Sequence, residues 1–502
     1  MKKIMFNEDW IHYIWTRHEY NMPVTEQTLK EFIYQYKGTQ ITDFAMNVTG
    51  AVSMFPSKIR QTFCDKYTLE EEGGMKANFK DTWARLAYEV WEEKKLDMYR
   101  IWIDTLREIG IKPWISVRVN DCHGFGDGPT LLKSERMLTR SDLWRIRHRE
   151  ASEYYDKCLD FELEEARLDF LAYIEEVISH YRPDGLELDF TRETHLFMPG
   201  REQIGRELFN DVMKDVRALC DKYSPEGEKM PIHILVNGTA QTNLEMGLDV
   251  AYWAENGLID SVTLLSRWNT TNTDYEIGIW RRLLGDKIEI GGGQQLVMRS
   301  TNDTPFTAIA TTEAAYGQAT ANLYNGCDFV YLYNYMDITE SGLFEMVGAD
   351  EFHPRAIRRE ENLKEILRNV GEYETASKMP RSHVLTFDDF VPFWMENNPR
   401  LPIYFEKDAI QYFKIATGAV GKDEKAQLRL GFDRKVSPDS FRVFVNCKPC
   451  NFAEYMQLNE TLTDAEGHVF DITCPEEILG RAIVEITLKE DAVLKYAEIF
   501  ID

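Results

Sequence analysis

The sequence predicts an α/β chain, a (β/α)8 TIM barrel followed by a C-terminal antiparallel β-sandwich domain. Three observations carry that prediction. Apolar, β-branched runs alternate with amphipathic helical patterns through the first three-quarters of the chain, which is the pattern of βα units on a parallel sheet. Eight such runs can be counted. From about Phe387 the helical periodicity fades and short alternating strands replace it.

The eight barrel strands are expected at 3–6, 42–48, 112–119, 185–190, 231–236, 261–265, 287–291 and 328–333. Helices are expected between them, for example at 25–36, 96–109, 168–181, 206–223, 275–284 and 311–324. In the third of these, Leu168, Leu171, Ala172, Ile174, Val177 and Ile178 recur at helical spacing and mark an apolar face. Tyr181-Arg182-Pro183-Asp184-Gly185 ends that helix and leads into the next strand. The region 52–91 reads as a long insertion after the second strand, placed to form part of the active-site rim. The chain thus divides into a barrel at 1–345, a helical connector at 346–386 and a β-domain at 387–502. Within the last, strands are expected at 410–416, 426–432, 441–445, 482–488 and 493–501. The β-domain is expected to pack on the barrel or to build a homodimer interface, with Phe393 and Trp394 in a core or interface.

Bulk composition narrows the function. Hydrophobic residues make up 44% of the chain, enough for a large core. The formal net charge of -26 repels phosphate backbones, so no nucleic-acid partner is expected. The start, Met1-Lys2-Lys3-Ile4-Met5-Phe6-Asn7, lacks the apolar core of a secretory signal. No apolar run reaches membrane-spanning length, and a cytoplasmic protein without a membrane partner is expected. Eight scattered cysteines fit reduced thiols. Cys447-Lys448-Pro449-Cys450 is a lone pair without a second at zinc spacing, so neither metal nor cofactor is expected.

Catalytic groups of such barrels stand where the strands end at their C-terminal edge. The strand ends here are Asn7-Glu8-Asp9, Asn47, Arg118 to His123, Glu187 to Glu193, Asn237, Arg267-Trp268-Asn269, Gln294-Gln295 and Tyr333-Asn334-Tyr335. Carboxylates, arginines, amides and aromatics together are what sugars require, because hydroxyls are read by amides and charges while sugar faces lie on rings. No phosphate loop follows any strand, and neither HExxH nor GxSxG occurs. Gly291-Gly292-Gly293 reads as room for a ligand or a tight turn.

Two stretches stand out. In Arg118-Val119-Asn120-Asp121-Cys122-His123, Arg118 and Asn120 share one face if the strand runs that far, and Asp121 is close enough to orient His123. In Gly185-Leu186-Glu187-Leu188-Asp189, Glu187 and Asp189 have the same parity and should face the barrel interior. Asp184-Gly185-Leu186-Glu187-Leu188-Asp189 is similar to the DGxDxD strand of chitinase-like barrels, but the position of their acid is Thr191, which argues against that mechanism. Arg192 follows, placed to meet a substrate anion. Glu187, Asp189, Asn120 and Asn237 join the candidate substrate-binding set.

The run RxNDxH (Arg118, Asn120, Asp121, His123), with an acid near the N-terminus, an arginine past strand four and an asparagine at the end of strand eight, resembles glycoside hydrolase family 156. The resemblance covers the barrel and the overall chain length, and it implies an inverting exo-sialidase acting on sialylated oligosaccharides. It places the catalytic acid on Asp9 and the catalytic histidine on His123. It places accompanying residues on Arg118, Asp121, Arg192 and Asn334. Inversion pairs an acid on the leaving oxygen with a base on water at the opposite face. Sialic acid carries its own carboxylate, which would repel a carboxylate base and spares a neutral imidazole. The expectation is therefore His123 as base, aided by Asp121, and Asp9 as acid, protonated through burial or neighbouring acids such as Glu8. The reverse assignment stays open. So do a retaining glycosidase, with Asp189 as nucleophile and Asp274 or Glu276 as acid, and a non-catalytic carbohydrate-binding barrel.

Overall fold

Eight parallel strands close into a barrel. They are β1 (Ile4–Asp9), β2 (Ile41–Asn47), β3 (Lys112–Arg118), β4 (Gly185–Asp189), β5 (Ile232–Val236), β6 (Ser261–Leu264), β7 (Glu289–Gln295) and β8 (Phe329–Tyr333). Their order around the barrel is β1, β8, β7, β6, β5, β4, β3, β2 and back to β1. The computed structural model describes residues 3–10, 12–14, 22–49, 52–62, 65, 85–122, 139–147, 154–267, 270–300, 308–335, 360–387, 400–458 and 465–502. His123, Trp268, Asn269, Phe393, Trp394 and most of the insertion 52–91 lie outside the described residues.

Alternation along each strand decides what fills the barrel. Met5, Ala45, Trp114, Leu235, Leu265, Phe329, Tyr331 and Tyr333 form one buried cluster inside it. Residues of the other parity, such as Ile4, Phe44, Ile115 and Leu188, join the larger core beneath the helices. Glycines accommodate the widest rings. A Cβ on Gly185 would lie 2.3 Å from the Trp114 ring, so the neighbouring strand must be bare there.

The glycine run differs from its expectation. Gly291, Gly292 and Gly293 form the middle of β7, with no turn and no space left for a ligand. A Cβ on Gly291 would meet Thr263 Oγ1 at 2.4 Å, on Gly292 Asn322 Nδ2 at 2.4 Å, and on Gly293 Leu265 Cδ1 at 2.5 Å. The space is filled by side chains from β6, β8 and the following helix. The helix Glu164–Tyr181 buries Ile174, Val177 and Ile178 as expected, but its buried face is shifted at the N-terminal end. Leu168 is exposed, and Phe170, Tyr173, Ile174, Val177, Ile178 and Tyr181 are buried. Its aromatics bury more area than Leu168 and set the orientation.

The second sheet is antiparallel and has nine strands: β9 (Arg381–Val384), β10 (Ile403–Phe405), β11 (Ile410–Ala419), β12 (Ala426–Phe432), β13 (Phe441–Val445), β14 (Lys448–Gln457), β15 (Glu466–Ile472), β16 (Leu479–Leu488) and β17 (Ala492–Ile501). It folds over a core that includes Leu428, Leu430, Val443, Phe470, Val484, Ile486, Leu494 and Ile499, giving the expected β-sandwich. Its first strand, β9, falls inside the segment 346–386 expected as connector, where helices Glu360–Asn369 and Tyr373–Ala376 are also found. Cys447 is an exposed hairpin residue with φ 63° between β13 and β14. Among the described residues no three His, Cys, Asp or Glu side chains cluster as a metal site, and no helix is long and apolar enough to cross a membrane.

The helix Thr312–Tyr324 stands between the two units. Every residue from Ala314 to Asn322 is buried, because one side meets the barrel and the other meets β9 and β11. Gly317 permits the contact, since a Cβ there would lie 2.0 Å from the Ser382 carbonyl oxygen.

Candidate active site

The C-terminal mouth of the barrel gathers the acids and arginines singled out above. Asp9 ends β1 and Arg118 ends β3, and both point inward. The Arg118 guanidinium donates from Nη2 to Asp9 Oδ2 at 3.0 Å and from Nη1 to Asp121 Oδ2 at 3.1 Å. All three residues are buried, with Asp9 at 5%, Arg118 at 7% and Asp121 at 5% exposure. Burial alone would lower the Arg118 pKa, but Tyr333, Asp9, Asp121 and Asp189 outweigh it and hold the guanidinium firmly charged.

Glu187 and Asp189 both face the interior, as their parity predicts, and each meets a tyrosine of β8. Tyr331 donates to Glu187 Oε2 at 2.8 Å, and Tyr333 donates to Asp189 Oδ2 at 2.8 Å. Asp189 also accepts from Thr191 at its other oxygen, from the hydroxyl at 2.6 Å and the backbone N–H at 2.8 Å. Glu187 lies one layer deeper, where Asn7 Nδ2 donates to Oε1 at 3.1 Å. Burial pushes its pKa up to about 8 against the donors from Ser116, Tyr331 and Asn7. Glu187 is therefore a neutral acid at pH 7. The same burial pushes His233, 3.9 Å from Glu187, down to about 3 and keeps it neutral.

Glu8 has the opposite parity and faces away from Asp9. It accepts from the Tyr36 hydroxyl at 2.8 Å and lies 3.1 Å from His12 Nδ1. It is therefore not the neighbour expected to act on Asp9.

The remaining predicted residues occupy distinct places. Arg192 is buried, with its guanidinium 5.7 Å from the centre of the Tyr333 ring. Asn120 spends its amide on backbone: Nδ2 donates to Leu159 O and His195 O, and Oδ1 accepts from Leu159 N. It ties the Asp121 loop to two others. Cys122 assists, its thiol packed 3.4 Å from that of Cys158. Asn237 accepts from Thr239 N at 3.0 Å and shapes the turn after β5. Asn334 follows β8 with φ 44°, a left-handed conformation that asparagine tolerates better than most residues.

Several mouth residues were not singled out individually from the sequence. Glu193, fully buried, receives both Nε and Nη2 of Arg267, at 2.7 and 3.1 Å. That guanidinium also lies 5.0 Å from the centre of the Tyr155 ring, and Tyr155 stacks on His195 at 4.4 Å. The residues come from the ends of β4 and β6 and the β3–β4 connection, so no local motif joins them. Asp274 does not reach this group. It is held at the seam with the β-domain by Arg481 and Lys414, which with Arg400 lower its pKa against its burial. Its place at the seam, and not at the mouth, is what sets it apart from the acid role weighed for it.

Buried side-chain atoms at strand ends without a protein partner among the described residues include Asp9 Oδ1, Asn47 Nδ2, Arg118 Nε, Gln295 Oε1 and Asn334 Oδ1. They belong to the adjoining run β3, β2, β1, β8 and β7. Buried polar atoms are rarely left without a partner, and such a set on one side of a barrel mouth suits a ligand rich in hydroxyls.

No family model matches the chain, and no curated protein matches it. Among solved structures it is similar to alpha-L-fucosidase isoenzyme 2 from Paenibacillus thiaminolyticus, at 12% identity and TM-score 0.41, over 75% of this chain and 49% of that one. The chain thus spans about half the length of that fucosidase. It is also similar to the alpha-L-fucosidase from Vibrio sp. strain EJY3, at 9% identity and TM-score 0.38, over 99% and 96% of the two chains. A third is the PgaB (BpsB) glycoside hydrolase domain from Bordetella bronchiseptica, at 11% and 0.40, over 67% and 95%. At these identities the likeness concerns chain fold alone.

Proposed function

We propose that the protein is a glycoside hydrolase and, within that class, an inverting exo-α-sialidase. The observation that carries the reading is the bridge from Asp9 through Arg118 to Asp121 at the barrel mouth. It brings the N-terminal acid and the acid two positions before His123 onto one guanidinium, on the side of the mouth where buried amide and carboxylate atoms have no protein partner among the described residues. Arg118 therefore serves first to position the two acids. Arg192, beside Tyr333, is the cation proposed to meet the substrate carboxylate.

In this reading His123 takes a proton from water, and Asp121 steadies the imidazolium that results. Asp9 delivers a proton carried on Oδ1, the oxygen that Arg118 does not engage, to the departing glycosidic oxygen. Three hydrogen bonds, one from Tyr333 and two from Thr191, fix Asp189 as a member of the wall, which favours this over a retaining reaction with Asp189 as nucleophile.

Proton NMR of sialyllactose cleavage from the first minutes tests the proposal. Early β-sialic acid, lost in His123→Ala and His123→Asn, is expected. Early α-product would refute inversion, and near-wild-type turnover in either histidine variant would refute the assigned base. No release would remove the sialidase reading, and a screen of other glycosides would then test the wider class.

A further inference from the structure

We infer that the seam between barrel and β-domain carries an oxyanion-binding site built on Arg400, Lys414 and Arg481. All three converge on Asp274. Arg481 Nη2 lies 2.9 Å from Oδ1, while Lys414 Nζ at 3.0 Å and Arg400 Nη2 at 3.7 Å approach Oδ2. Among the described residues no other carboxylate has three cationic partners. Elsewhere one cation is commonly shared by two acids, as Arg118 is by Asp9 and Asp121, and Arg217 by Asp221 and Asp260. The seam reverses that balance in a chain whose net charge is -26.

One carboxylate cannot neutralise three cations, and the surplus positive charge has a direction. Asp274 lies underneath, its side chain 1% exposed, while those of Lys414 and Arg481 are 50% and 40% exposed. Arg481 spends Nε and Nη2 on the same oxygen of Asp274. Arg400 Nη1 is buried without an acceptor among the described residues, and a buried guanidinium nitrogen left so is costly. An oxyanion seated above Asp274, against the exposed Lys414 and Arg481, would offset the surplus charge. Two guanidinium groups and an ammonium are the donors that carboxylates and phosphates select.

The cluster stands on rigid elements. Lys414 lies on β11 and Arg481 on β16, strands paired with Lys414 opposite Ile483 and Ala416 opposite Arg481. Asp274 lies on the barrel, in the loop after β6 where Thr273 donates to Val384 O at 2.6 Å. The site therefore requires both units, and an anion bound there adds to their contact. The shared chemistry is that of a sugar carboxylate and of inorganic phosphate.

Calorimetric titration of the full chain tests it, with sodium phosphate and sodium glucuronate in separate experiments at ionic strength fixed with sodium chloride. Saturable binding of one of the two at a single site is expected, and which one binds identifies the source. Arg481→Gln and Lys414→Gln should each weaken it at least tenfold. Asp9→Asn should bind as the wild type does, which separates this site from the proposed hydrolysis. Should Arg481→Gln fail to fold, the half-exposed Lys414→Gln still decides. Absence of saturation with both anions, or unchanged affinity in the variants, would overturn the inference.

Discussion

The Tyr333 phenol at the end of β8 donates to Asp189 on β4, directly across the barrel, at 2.8 Å. One layer below, Tyr331 and Glu187 repeat the arrangement on the same two strands. Two tyrosine–acid rungs thus span the barrel, the upper one level with Arg118, whose register partner on β4 is Asp189.

Tyr333→Phe removes one of three donors to Asp189 and nothing else of that size. We expect a stability loss of about 1–2 kcal/mol in urea denaturation, since the Thr191 donors remain. We also expect kcat/KM on the sialoside to fall at least tenfold, because the released Asp189 oxygen can turn toward Arg192 while the ring beside that guanidinium is kept. Unchanged turnover would show that the upper rung is purely structural.

Arg118→Met leaves Asp9 and Asp121 buried without their cation. The stability cost should be about 3–5 kcal/mol, the range for breaking a buried pair. Arg118→Lys keeps the charge but cannot fork between two carboxylates, so it should recover part of that stability and little turnover. Full activity in the lysine variant would show that charge suffices and that the bridge does not position the acids.

Glu187 makes stability depend on pH. The folded chain keeps this proton up to about pH 8, whereas the unfolded chain releases it near the ordinary glutamate value of 4.5. Between those limits the unfolded state binds fewer protons, so stability falls as pH rises; below 4.5 and above 8 the effect is flat. Glu187→Gln abolishes the slope. Relative to wild type it should gain on the order of a few kcal/mol between pH 5 and 8, at about 1.4 kcal/mol per unit. Urea midpoints at the two pH values measure this, and a difference independent of pH would mean that Glu187 is ionised in the fold.

Gly317→Ala puts a methyl carbon 2.0 Å from the Ser382 carbonyl oxygen. Helix and strand must separate, and we expect a loss of at least about 2 kcal/mol by thermal denaturation. An alanine variant as stable as wild type would show that the seam is soft.

Much of this architecture could be read from the chain. The parity of Glu187 and Asp189, and the clustering of polar residues at strand ends, follow from the two-residue period of a strand and the single open face of a barrel. The same period places Glu8 on the far side from Asp9, and the expectation that these acids act together neglected it. The role of Gly291 to Gly293 was hidden because the groups that need the space, Phe329 and Asn322, belong to elements distant in sequence. β14 escaped notice because all of its residues are exposed or half-buried, so it lacks a buried apolar face. The Glu193–Arg267 pair and the cations around Asp274 depend on tertiary approach, for which single-chain periodicity has no signal.

The alanine-rich helix Thr312–Tyr324 has no solvent side of its own along Ala314 to Asn322. It is a party wall: remove the β-domain and the barrel loses the lining of its own house. A chain cut before Arg381 should therefore expose that helix and aggregate, and the intact chain should melt in one calorimetric step. Any attempt to transplant the barrel as a portable catalyst would have to redesign this helix first, giving it the polar outer face that its present neighbour makes unnecessary.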